Sequence, residues 1–169
     1  MDKEKVQDIV IPLLAEYLAV QPVEADQDVD NVPEGVHLSF DFIVPYTADV
    51  GTPDRTHRSE DGKLYVVHDE DYKMTLSLTA IAPIKAVGGH AEAKRESLSL
   101  ANRAADWFRF FGELDLMFEG IAILNITDIA NRDSLNEDEY RNGFDVVFRV
   151  HKTLEKQIDY FDHVEYGQL

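Results

Sequence analysis

Apolar residues return at three- and four-residue intervals at Val6, Ile9, Val10, Leu13, Leu14, Tyr17 and Leu18, the stripe of an amphipathic helix. Pro12 lies inside that stripe and cannot donate to the Asp8 carbonyl, which predicts a kink, or a frayed first turn with regular helix beginning near Pro12. Gln21 to Ala25 fits a short strand, and Asp26 to Gly35 reads as a turn-rich acidic loop. The helical period then gives way to alternation: Val36, Leu38, Phe40, Phe42 and Val44 face one way in a half-buried strand that stops at Pro45. Ala48 to Lys63 has no periodicity and holds Gly51, Pro53 and Gly62 among polar residues, so it reads as a long loop. Leu64 to His68 fits a strand at its exit. Met74, Leu76, Leu78, Ala80 and Ala82 alternate in another, ended by Pro83 and Gly88-Gly89.

A second helix is predicted from about His90 to Phe111, with Leu98, Ala101, Ala104, Ala105, Phe108 and Phe111 on one face and Gly112 as its stop. Glu92 and Glu96 lie near the positive end of its dipole. Ile121 to Asp128 is an apolar strand, and Ile129 to Asn142 is polar and turn-like. Phe144, Val146, Phe148 and Val150 alternate in a further strand, with a last weak one at Gln157 to Val164. Two main helices among about five or six strands in mostly sequential order predict an α+β fold with a mostly antiparallel sheet.

A length of 169 residues suits a single domain, 1–169, and 44% hydrophobic residues is a globular composition that argues against disorder. Charge changes the picture more. The 33 acids outnumber 16 bases for a net −17, and no Lys or Arg occurs between Lys5 and Arg55. Sequence-independent nucleic-acid affinity comes from bases that neutralise phosphates, so this composition argues against a general nucleic-acid binder. Attraction to an anionic membrane surface is disfavoured for the same reason. The absence of Cys excludes a disulfide framework, thiolate catalysis and Cys-ligated zinc, and suits a reducing cytoplasm. The first residues lack the pattern of a secretory signal, and no apolar run approaches the length of a membrane span.

The residues offer little chemistry. The His at 37, 57, 68, 90, 151 and 163 form no zincin pattern; His37 and His151 lie on the polar parity of their strands and read as surface residues. His68-Asp69-Glu70-Asp71 reads as a tight acidic turn between two strands rather than a cation site. Asp26, Asp28 and Asp30 mimic the opening of a calcium loop, but Asn31 and His37 occupy the positions that need Gly and Glu. Gly88-Gly89 is too short to cradle a phosphate. The expectation is therefore no catalytic residue, no cofactor and no metal. One segment stands apart: Asn131, Arg132 and Asp133, then Tyr140, Arg141, Gly143, Phe144 and Asp145, concentrate arginines and acids just before a strand. Arg132 and Arg141 can pair bidentately with carboxylates such as Asp133 or Asp145, fixing a corner or joining two subunits.

In order along the chain, IVIPLLAEYLAV with its acidic VEADQD, HLSFDFIVPY, ANRAADWFRFFG, GIAILNITDIANRD and EYRNGFDVVFRV resemble the phage neck or tail terminator proteins. The resemblance touches the first 46 residues and most of 74–151, and leaves 48–72 unmatched. It implies a structural virion-assembly subunit and not an enzyme. Such subunits form a ring, commonly a hexamer, that caps the tail tube and docks it to the head connector or stopper, while DNA passes without specific binding. It implies no membrane partner, and a place in the host cytoplasm during assembly and then in the virion. It also marks the 131–145 residues as a candidate structural or assembly corner. Acidic residues of the base-free interval, or of the loop after it, are expected to face the lumen and repel phosphate. The residues alone also fit an acidic monomeric or dimeric binding module that mimics nucleic-acid charge, or a small hydrolase using carboxylates or His.

Overall fold

The computed structural model describes residues 1–25, 33–48, 54–132 and 138–158, so most of the acidic 26–35 segment lies outside them. Helix α1 (Lys3–Leu18) begins at Asp2, whose Oδ1 accepts from the Lys5 backbone N–H at 3.0 Å. That bond holds the Asp2 carboxyl below its usual value. The helix runs through Pro12 instead of starting there. An interior proline costs about 3 kcal/mol. Burying Val6, Val10, Ile11, Leu14 and Leu18 contributes on the order of 1.5–3 kcal/mol each, so the buried stripe wins.

Among the described residues seven strands form one sheet: β1 (Val23–Glu24), β2 (His37–Ala48), β3 (Asp54–Glu60), β4 (Lys63–Pro83), β5 (Ile121–Ile126), β6 (Ala130–Asn131) and β7 (Glu139–Ile158). The order is β1-β2-β4-β7-β5, with β3 paired to β4 and β6 to β7; of these described pairs β1–β2 is parallel and the rest antiparallel. The last strand therefore enters the middle of the sheet, a departure from the expected sequential order. Strand β2 does not stop at Pro45. Its register against β4 shifts between Val44 and Thr47, and an irregular ladder tolerates a residue with no N–H to donate.

The 48–63 stretch is not a loop throughout: β3 and β4 form a hairpin through Asp61 and Gly62, both at positive φ (51° and 72°). A two-residue Asp-Gly turn of this kind matches the twist of the strands it joins. The expected acidic turn at 68–71 is likewise absent, because those residues lie inside the 21-residue β4. Val150 and Gln157 share one strand too, since β7 runs to Ile158; residues 159–164 lie outside the described ones. Beyond Asp69 the outer part of β4, with β3 and residues 153–158, extends as a three-stranded arm. At about 3.3 Å per residue it reaches roughly 20 Å. All of β3 is exposed.

Short α2 (Ile84–Val87) precedes α3 (His90–Asp106), a π-helical turn (Trp107–Phe111) and α4 (Glu113–Phe118). Ala93, Ser97, Leu100, Ala101, Ala104, Ala105 and Phe108 make the buried stripe of α3 and its extension. Leu98 and Phe111, expected on that face, are exposed. The Gly112 N–H donates to the Trp107 carbonyl five residues back at 2.8 Å, and this wider winding buries Trp107 while turning Phe110 and Phe111 outward. Gly112 directly follows the turn, as expected of its stop, at φ −95°. Its role is space, since a Cβ there would fall on the Trp107 ring. Helices α1 and α3 cover one face of the sheet, where Leu14, Leu38, Leu76, Phe108, Phe144 and Phe148 share one hydrophobic cluster. The other face is lined by half-buried side chains such as Asp41, Ser77, Thr79 and Asp145.

Candidate functional site

The segment picked out by its arginines lies where β6 meets the start of β7. Backbone pairing sets β6 against β7, Ala130 to Gly143 and Asn131 to Asn142, and the Arg132 N–H donates to the Arg141 carbonyl at 2.8 Å. This carries the Arg132 side chain across the sheet face away from the helices. Its Nη2 donates to Asp145 Oδ1 at 2.6 Å, and its Nη1 donates to Thr79 Oγ1 at 3.1 Å and to Ser77 Oγ. Ser77 faces Asp145 and Thr79 faces Gly143 in the β4–β7 register, so one guanidinium staples two long strands.

Gly143 is the opening that permits it. A Cβ there would lie 2.5 Å from the Leu78 carbonyl oxygen and 2.7 Å from Arg132 Nε. Arg141 takes a different partner from those expected, donating through Nε to Glu139 Oε1 at 2.7 Å. Phe144 points to the opposite face and belongs to the core, its ring 6.2 Å from that of Phe108. Tyr140 meets His90 edge-on at 6.1 Å, Asn131 is exposed, and Asp133 lies outside the described residues.

Ser97 adds a link that the sequence did not advertise. Fully buried on α3, it accepts from Asn142 Nδ2 at 2.7 Å and donates to the Lys94 carbonyl at 3.2 Å. The corner thus fixes α3 to the start of β7. His37, expected at the surface, is buried with its Nδ1 2.8 Å from the Gly35 carbonyl.

A second cluster sits at the root of the arm, where β4 and β7 bring distant residues together. His151 Nδ1 is 2.9 Å from Asp71 Oδ1 and its Nε2 is 3.3 Å from Asp69 Oδ1, which also accepts from Thr153 Oγ1 at 2.6 Å. The Asp71 hydrogen bond, with help from Asp69, raises the His151 pKa, and the Thr153 hydroxyl lowers that of Asp69. A raised His pKa contributes stability that is complete below the usual 6.5 and is lost as pH rises through the elevated value. A lowered Asp pKa contributes above 3.8 and is lost as pH falls through the depressed one. The arm root is therefore expected to be tightest between those two values, with faster amide exchange at 69–71 and 151–153 on either side. Exchange independent of pH after correction for intrinsic rates counts against this.

The third feature is apolar and exposed. Leu114, Met117 and Phe118 lie on one side of α4 at three- and four-residue spacing, opposite buried Leu116. Phe118 is 81% exposed and Phe110 75%. Phe110 stacks edge-on against Phe111 at 5.2 Å, and Phe111 lies 5.0 Å from Tyr17, so the patch continues onto α1. Contiguous exposed aromatics of this kind mark interaction surfaces. Among the described residues no group of three or more His, Asp or Glu is placed to hold a metal ion, and no helix is long and apolar enough to cross a membrane.

A family model described as "Phage neck terminator protein" matches residues 3–168. The chain belongs to this family. It is a structural protein of the bacteriophage virion, a tail terminator of the neck. Among solved structures it is similar to a chain of the "Virion of native gene transfer agent (GTA) particle", at 14% identity and a TM-score of 0.34, covering 89% of this chain and 92% of that one. No curated protein matches the chain.

Proposed function

We propose that this neck terminator works as a ring of identical subunits, a hexamer, that caps the tail tube and docks it to the head connector, with DNA passing through an acidic lumen without being held. It is a structural part with no catalytic duty, assembled in the host cytoplasm before it enters the virion. The observation that carries this reading is the apolar patch of Phe110, Phe111, Leu114, Met117 and Phe118. A strongly charged subunit that leaves these side chains in water has a surface whose burial awaits a partner. We assign the patch to the tail tube. The 131–145 corner has a supporting part: Arg132 and Ser97 hold the sheet and α3 in one arrangement, so that the patch is presented rigidly.

Electron microscopy of tails produced with and without the protein tests the function. Without it, tubes are expected to grow abnormally long or to remain detached from heads; normal joined tails would refute the reading. For the patch, Phe110→Asp with Phe118→Asp is expected to leave stability within about 0.5 kcal/mol, as for exposed sites. Co-sedimentation with tail tubes should fall at least about tenfold, a loss in the range of truncated interface anchors. Unchanged tube binding would remove the patch from the proposal.

A further inference from the structure

The outer arm and the acidic flank formed by α1, β1 and β2 are complementary in charge within one chain. The arm, residues 54–69 with 153–158, carries Arg55, Arg58, Lys63 and Lys156 against five acids, a net −1 that leaves −16 on the rest. Two of those acids, Asp54 and Asp69, face each other at its root, so the outer part is net positive. Within it Arg58 donates to Glu155 at 3.0 Å and lies 3.1 Å from Glu60, its guanidinium 5.8 Å from the Tyr65 ring centre. Those pairs hold the arm's own strands. Arg55, Lys63 and Lys156 are exposed.

The flank formed by α1, β1 and β2 has the opposite character. Between α1 and β1 lies a surface hollow with Ile11, Pro12, Pro22 and Phe40 in its lining and the carboxylates of Asp8 and Glu24 beside them. Lys3 Nζ reaches Glu24 at 3.5 Å, and Asp8 is exposed. A mixed lining, with Gln7 and Gln21 beside the apolar side chains and two carboxylates, suits a long basic side chain, whose methylene stem packs while its charged end is neutralised.

We propose that the outer arm of one copy docks into the α1–β1 hollow of the next, with Lys63 at its tip meeting Asp8 and Glu24. The proposal rests on the ring reading for the presence of a next copy, and adds which surfaces meet. The contact is heterologous, since arm and hollow are different surfaces, and heterologous contacts are the kind that build a ring wherever the rotation between copies closes. It also explains how subunits of net −17 associate: the facing parts are opposite in sign.

Two charge reversals and their mixture test this. The arm variant carries Lys63→Glu; the hollow variant carries Asp8→Lys and Glu24→Lys. Each is to be assayed by mass photometry and sedimentation at low ionic strength, alone and with tail tubes, beside thermal melts. Each variant by itself is expected to melt like wild type and to self-associate at least about tenfold more weakly. An equimolar mixture restores assembly, because each variant's arm then meets a hollow of opposite sign. Arm or hollow variants that assemble like wild type, or a mixture no better than its parts, would overturn the arm contact while leaving the ring intact. Wild-type protein that never self-associates, even on tubes, would overturn both.

Discussion

Phe108→Ala is expected to destabilise the fold by about 3–5 kcal/mol, the usual cost of emptying a buried aromatic site. In a protein of this size that lowers the melting temperature by roughly 6–20 °C. Phe108 is 1% exposed, with ring centres at 4.7 Å to Trp107, 6.2 Å to Phe144 and 6.0 Å to Phe148. It therefore joins the π-helical turn to the central strand β7. Its neighbours are held by β7's ladder to β4 and by Gly112 under the Trp107 ring, so the site has little freedom to collapse. Calorimetry beside the Phe118→Asp change is the comparison: the same residue type, ten positions later, is expected to tolerate replacement because it already lies in water. A loss below about 1 kcal/mol at Phe108 would mean that the turn repacks freely.

Gly143→Ala is the second large effect, expected to cost about 1–3 kcal/mol through overpacking. The added methyl meets both a backbone oxygen, that of Leu78, and the Arg132 side chain. Arg132→Ala alone costs a similar amount, roughly 1–3 kcal/mol, because it removes charge-assisted bonds and leaves half-buried Asp145 without that partner. The two changes should not add. With Arg132 shortened, one of the two collisions disappears and the penalty at Gly143 shrinks, but the Leu78 oxygen keeps it above zero. Chemical denaturation of the two single variants and the double variant measures this directly. Strict additivity would show that Arg132 does not cross above Gly143 in solution.

These cases show what was legible in the chain. The α1 stripe, the β2 alternation and the inward residues of β7 follow from periodicity, because each element buries one face and its sequence must repeat with its geometry. The arm was not legible in the same way. Asp54 to Glu60 has no apolar alternation because neither the pairing nor the position of β3 depends on burial. The one local signal was Asp61-Gly62, a two-residue turn pair read only as part of a loop. The acidic run at 68–71 suggested a turn by composition, yet its place inside β4 is set by partners on β7, at registers such as Asp69 with Thr153 and Asp71 with His151. Similarly, the helical face through Phe111 assumed a constant winding that the turn at Trp107 does not keep.

The Arg132 contacts were half visible. Arginines and acids gathered in a base-poor chain pointed to 131–145, and Asp145 was named as a partner of Arg132. Ser77, Thr79 and Ser97 carried no such mark, since a small hydroxyl in a strand or helix becomes a ligand only when another element arrives above it. The sequence alone determined the α+β class, the large net negative charge with its base-free interval, and the family, all of which follow from local order and residue type. Only the tertiary structure decided which of these residues meet. The 20-residue β7 pairs along its whole length with β4, and that long-range ladder places the arm, the Arg132 staple and the arm-root histidine. Contacts between residues far apart in the chain depend on register between strands, and register is a property of the packed sheet as a whole.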